Sequence, residues 1–254
     1  PGGGAERPGG GDAGPGDELG AGTAVPSWGL GEVAAGIGLA LVVPSIVILV
    51  ALAAVGVDAD DTDTIPLWGV ALLQLPLWAV LVGVPWWAVR TKGSGSLRAD
   101  LGLAFRLRDA WIGLLTGFGT QIALGFVLLP VYELLGIDRD EVGRTAEELA
   151  DRAHGAVGLV SLFVVAVVGA ALVEELFYRG LVLRALRKRS GATVAIVGSA
   201  VIFGVMHFQP VDTIALGLFG AVCAWLTVRH DRLGPAVWAH LGFNLTAFVA
   251  LVWN

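Results

Sequence analysis

Long uninterrupted apolar runs constrain this chain more than any other feature. A helix needs ~20 apolar residues to cross a hydrocarbon layer about 30 Å thick. By that measure spans are predicted near 29–56, 66–89, 110–135, 156–183, 192–208, 212–228 and 235–253. Hydrophobic residues make up 56% of the 254 and charged ones 15%, and the apolar ones gather in runs instead of alternating with polar ones. An all-α fold is therefore expected, a polytopic membrane helical bundle of about seven transmembrane helices. Residues 1–25 form a Gly/Pro-rich tail with little to bury, expected to be disordered. Residues 26–155 hold the N-terminal helices and loops, and 156–254 a second block in which the polar residues of the spans are concentrated. No basic-then-apolar segment with a cleavage site precedes the first span, so a cleaved signal peptide is not expected.

The loops separate by charge. Of the 16 Lys and Arg, all but Arg139, Arg144 and Arg152 fall in the tail, in 90–108, in 179–189, or at Arg229 and Arg232. Those three share a loop with Asp138, Asp140, Glu141, Glu147, Glu148 and Asp151, and the preceding loop on that side, "DADDTD", has no base at all. Basic residues stay on the cytoplasmic side. The expected protein is thus multi-pass in the cell (plasma) membrane, with its N-terminus cytoplasmic and the lipid bilayer as its surroundings. No internal repeat points to a transporter built from two related halves.

Composition excludes some classes. The one cysteine, Cys223, lies in an apolar run, so neither a disulfide nor a Cys-based zinc site is possible within one chain. The formal net charge is −6 and no basic stripe with interleaved aromatics occurs, which argues against a nucleic-acid partner.

Ionisable side chains inside spans are costly and mark functional sites by default. Here they are Glu174, Glu175 and Arg179 in the fourth span, His207 in the fifth, and His240 with Asn244 in the seventh. Glu175 with Arg179, Phe203 with His207, and His240 with Asn244 are each spaced to share one helix face. The midpoint between Glu174 and His207 falls at Ser190-Gly191, so two antiparallel helices would carry both groups to one level, ~24 Å from that turn. His240 follows Pro235 by roughly 8 Å of helix. The three groups are expected to meet around a cavity open to the cytoplasm. His207 at that depth makes "HFQPVD" a turn short of the far surface, tolerable only if protein or water encloses it.

A glutamate in such a pocket can serve as general base. Glu175, one turn before Arg179, is expected to form a lasting ion pair, which leaves Glu174 free to face the cavity. His207 could help position or polarise a water, and His240 with Asn244 could offer N–H donors to the oxyanion formed as that water attacks an amide. The same Glu174, His207 and His240 could instead hold zinc, with one position left for water. The ligand spacing is spread over three helices, and both readings stay open.

"EELFYR" at 174–179, "FGVMH" at 203–207 and "HLGFN" at 240–244 resemble the E-E-x-x-x-R, F-x-x-x-H and H-x-x-x-N motifs of the CPBP (CAAX protease and bacteriocin-processing, or Abi) intramembrane endopeptidases. Order and spacing agree, and the resemblance covers about 156–253. It implies a four-helix catalytic core that cleaves a peptide or protein substrate at the membrane. Glu174 and His207 would activate water, His240 and Asn244 would form the oxyanion site, and Glu175 and Arg179 would support the core. The catalytic type implied is a glutamate-type or a metallo-type peptidase, with zinc the only cofactor in question. Eukaryotic relatives process prenylated CAAX-box proteins; the Gly-, Ala- and Val-rich composition suggests a bacterial chain, and bacteria generally lack protein prenylation.

Two other functions fit the same residues. One is a non-catalytic membrane immunity or assembly protein with this fold, against which the intact motif set speaks. The other is a proton-coupled transporter using Glu174 and His207 as a relay, against which the lack of repeat symmetry speaks. Phe203 is expected to pack beneath the site, and Tyr178 either to bond in the cavity or to sit at the interface. The segment 97–109 reads as a basic interfacial helix or a simple linker.

Overall fold

A computed structural model describes Gly2 and residues 27–253. Apart from Gly2, the expected disordered tail lies outside the described residues. Among them no strand occurs; a chain that crosses hydrocarbon must pair its backbone within each segment, which a helix does. The order is α1 (Leu30–Val55), α2 (Leu67–Leu73), α3 (Leu75–Lys92), the short α4 (Leu97–Leu101), α5 (Leu107–Leu134) and α6 (Arg144–Asp151). Then α7 (Gly155–Leu162), a π-helical stretch π1 (Phe163–Gly169), α8 (Ala170–Glu174) and a second π-helix, π2 (Glu175–Val182), run into α9 (Leu183–Val205), followed by α10 (Thr213–His230) and α11 (Gly234–Trp253).

Six of the described helices are long and apolar enough to cross a membrane: α1, α2 with α3, α5, the 51-residue stretch Gly155–Val205, α10 and α11. The longest folds back on itself. Gly191 stands at φ 77° and ψ 179°, left-handed backbone that a residue without Cβ reaches freely. Beyond it Ala195 clusters with Leu183, and the Ser199 hydroxyl donates to the Tyr178 carbonyl at 3.1 Å. The two arms are the fourth and fifth spans of the sequence. Large side chains such as Val50, Phe126 and Val201 are exposed on the outside of the bundle, as surfaces facing lipid require.

The bundle has a sealed end and a looser one. At the basic end Asp109 and Arg232 form a buried, two-pronged ion pair, with Nε–Oδ2 at 2.9 Å and Nη2–Oδ1 at 2.5 Å. There the chain 102–104 pairs with the start of α11, Leu233 N donating to Gly102 O and Gly234 N to Ala104 O. Leu101 and Leu233 are fully buried. In the segment 97–109, Leu97–Leu101 is helical, with Arg98 and Ala99 exposed and Leu101 buried, and 102–104 is held by backbone pairing, which makes it more than a free linker.

At the acidic end the turn between α9 and α10 is tied to neighbouring segments by two hydrogen bonds. The Tyr132 hydroxyl donates to Val211 O at 3.1 Å, and Gly143 N donates to Asp212 Oδ1 at 3.1 Å. Phe208 in that turn sits at φ 54°, an uncommon conformation for a residue with a Cβ.

Helix α11 is held on α5 by close backbone approach. A Cβ at Gly117 would overlap the Ala239 carbonyl oxygen, and one at Gly113 would come within 2.6 Å of Pro235 O. Two glycines one turn apart let the helices touch without side chains between them. That contact sets the depth and rotation of α11, and so of His240 and Asn244.

Candidate active site

Span four brings its charges in on a π-helix, where i to i+5 bonding widens the turn; such segments recur at functional sites. Glu174 closes α8 and Glu175 opens π2, so the two carboxylates leave the helix in different directions. Glu175 and Arg179 are both fully buried and paired, Arg179 Nη1 donating to Glu175 Oε1 at 2.7 Å. Arg179 Nη2 donates to the Gly220 carbonyl of α10 at 3.0 Å, and its guanidinium carbon stands 4.3 Å from the centroid of the Phe203 ring. His240 Nδ1 lies 2.8 Å from the same Glu175 Oε1. One buried pair thus ties π2 to α9, α10 and α11.

Glu174 faces the other way. Its Oε2 is 3.8 Å from His207 Nε2 and 3.9 Å from His240 Nε2, and that oxygen is buried without a hydrogen-bond partner. His207 Nδ1 lies 2.7 Å from the Phe203 carbonyl, one turn back on α9. A carbonyl only accepts, so this Nδ1 carries a proton. His240 Nδ1 donates in the same way to the Glu175 carboxylate, which also accepts from Arg179. With Nδ1 the donor, a ring in its neutral form presents a lone pair at Nε2. Three acceptor atoms therefore converge on one spot, where a water's hydrogens or another electropositive group would be held.

The donor set of one glutamate and two histidines, each ring backed at Nδ1 by an oxygen, is chemically one that zinc accepts. Among the described residues no group of three or more His, Cys, Asp or Glu that could hold a metal ion is found.

Asn244 stands one turn beyond His240 on α11, and its Nδ2 donates to the Ala166 carbonyl of π1 at 2.6 Å. One N–H of that amide is left over. Phe203 is fully buried beneath the group, 4.6 Å from the His207 ring and 5.9 Å from the His240 ring by centroids. Tyr178 packs edge-on against Phe177 and Phe203. It is buried in the core, neither lining the cavity nor sitting at an interface.

Glu174, His207, His240 and Asn244 all line one cavity of about 540 Å³, a size typical of ligand pockets. Its lining extends toward the acidic end of the bundle. Beyond the site the lining comes from Tyr132, Val142, Gly143, Glu147, Gln209 and Asp212, residues of the acidic end. The physical reason is the sealed packing at Leu101, Asp109, Arg232 and Leu233. Depth counted from the Ser190-Gly191 turn places the residues at one level but says nothing of which end is closed.

Sequence reasoning missed the upper wall of this cavity. Gln74, at the junction of α2 and α3, and Gln121 and Tyr132 on α5 stand outside the three polar pairs. Gln121 in an otherwise apolar span was a usable signal, and so was Asp212, whose carboxyl burial pushes above the usual aspartate range. Residues 156–246 match the family model described as type II CAAX prenyl endopeptidase Rce1-like. No curated protein and no solved structure matches the chain.

Proposed function

We propose that this chain, whose residues 156–246 match the Rce1-like type II CAAX prenyl endopeptidase family model, is an intramembrane endopeptidase that cuts its substrate with a water activated by Glu174 and His207. The observation that carries the reading is the convergence of Glu174 Oε2 with two histidine Nε2 atoms inside one cavity. A water between them donates to Glu174 and His207 and attacks the amide carbon. Its proton passes to Glu174 and then to the leaving amine, so that one amide bond is exchanged for a carboxylate and an amine. The oxyanion lies toward α11, where the spare N–H of Asn244 donates to it, while His240 Nε2 faces Glu174 across the site. Glu175 and Arg179 act from behind, by fixing the His240 ring.

The test is cleavage of membrane-tethered peptide reporters by the purified protein. Glu174→Ala and His207→Ala each lower kcat/KM about a hundred- to ten-thousand-fold, while their melting temperatures stay close to that of the unaltered chain. Equal cutting by all variants would sink the assignment. A chelator arm decides the catalytic type: loss of activity restored by zinc marks a metallopeptidase, and an unchanged rate a glutamate peptidase.

A further inference from the structure

The charge around the cavity restricts what can enter it. Among the described residues lining it there is no Lys or Arg, and three carboxylates, Glu147, Glu174 and Asp212, are present. The arginines that could compensate are engaged elsewhere. Arg179 is fully buried in its pair with Glu175 and its bond to Gly220. Of the three on the acidic face, Arg139 pairs with Glu133, and Arg144 pairs with Glu148 at 3.5 Å. Arg152 reaches the Ile65 carbonyl at 2.6 Å and Asp63 at 3.8 Å. The remaining wall is mainly apolar, with Leu124, Leu128, Phe219 and Phe248 among its residues.

A free C-terminal carboxylate brought into this space would lose its hydration and meet three carboxylates with no Lys or Arg among the described lining residues to pair with. An uncharged, apolar stretch of chain loses nothing comparable and covers the apolar wall. A cation just outside that stretch would be drawn to Glu147 and Asp212. We infer that the cavity accepts an internal, uncharged apolar stretch of polypeptide flanked by a basic residue, entering from the acidic-loop end, and makes no use of a substrate's C-terminal carboxylate. This rests on the endopeptidase reading and narrows its substrate.

The experiment separates binding from cutting. Labelled peptides with one apolar core are made in four forms, with Lys or Glu as the flanking residue and with a free or an amidated C-terminus. Their binding to the full-length Glu174→Gln protein in nanodiscs is measured alongside their cleavage by the unaltered chain. Amidation should change affinity less than about twofold, and the Lys form should bind at least about tenfold tighter than the Glu form. Glu147→Lys should shrink or reverse that preference. A need for the free carboxylate, a preference for the Glu form, or no binding by any of the four overturns the inference. Selective binding with no cleavage would leave it standing and would instead overturn the peptidase assignment.

Discussion

Glu175 Oε1 accepts from two sides at once, from Arg179 Nη1 at 2.7 Å and from His240 Nδ1 at 2.8 Å. A single buried oxygen thus couples the electrostatic repair of one helix to the orientation of a ring on another. The two functions can be pulled apart. Glu175→Ala strands the Arg179 charge in the core and should cost about 3–5 kcal/mol. Removing both charges, as Glu175→Met with Arg179→Met, should restore most of that stability, because a well-packed apolar pair often replaces a buried ion pair without loss. Activity should not return with it, since His240 Nδ1 has lost its acceptor. Melting temperature and kcat/KM on the same three proteins check this, and recovery of both together would mean that Glu175 serves stability alone.

The side of the membrane that the cavity faces can be read with thiols. Cys223, the one cysteine of the chain, is fully buried, so background labelling should be low. Thr145 on α6 and Ser190 at the turn of the long hairpin are both exposed and lie at opposite ends of the bundle. If basic loops stay in the cytoplasm, a membrane-impermeant maleimide should label Thr145→Cys in intact cells and Ser190→Cys only after permeabilisation. The reverse pattern would turn the molecule over and put the cavity on the cytoplasmic side after all.

Asp212 links the turn at the cavity mouth to the loop before α6 through Gly143 N, and burial raises the affinity of its carboxyl for a proton. The sign follows from linkage. A folded-state value raised above the unfolded one gives stability that is fully present below the ordinary aspartate range and lost as pH rises through the raised value. Asp212→Asn keeps an oxygen to accept from Gly143 and removes the titration. Relative to the unaltered chain, the variant should gain melting temperature as pH climbs above about 4. The two should draw together at lower pH. A constant difference between them across the range would show that Asp212 does not titrate with folding.

How much of this was legible without coordinates differs by element. The apolar runs forced helices, and the predicted boundaries agree with the helices to within a few residues because hydrocarbon leaves the backbone no other option. The level shared by Glu174 and His207 was also legible, since a turn at Gly191 and a constant rise per residue fix it by counting. Three things were not. The π-helical turns at Phe163–Gly169 and Glu175–Val182 carry no pattern that an apolar α-helix lacks. The closed end depends on Asp109 meeting Arg232 and on Gly102 and Ala104 pairing with the start of α11, contacts between residues far apart in the chain. Gln121 and Tyr132 line the cavity from α5, the helix against which α11 packs closely.

That closeness supplies the sharpest structural test. Gly113 and Gly117 present bare backbone to Pro235, Trp238 and Ala239, and a Cβ at Gly117 would overlap the Ala239 carbonyl oxygen, which cannot swing aside as a side chain can. Gly117→Val should therefore push α11 outward and cost about 3 kcal/mol, the upper part of the usual range for overpacking. His240 and Asn244 ride on the displaced helix, so kcat/KM should fall even in the fraction that stays folded. Gly119, on the same helix, has open space where its Cβ would stand, and Gly119→Val should leave both quantities nearly unchanged. Melting curves and peptide cleavage for the two variants side by side check the contrast. If both lost stability alike, the cause would be the loss of glycine from a helix and not the approach of α11 to α5.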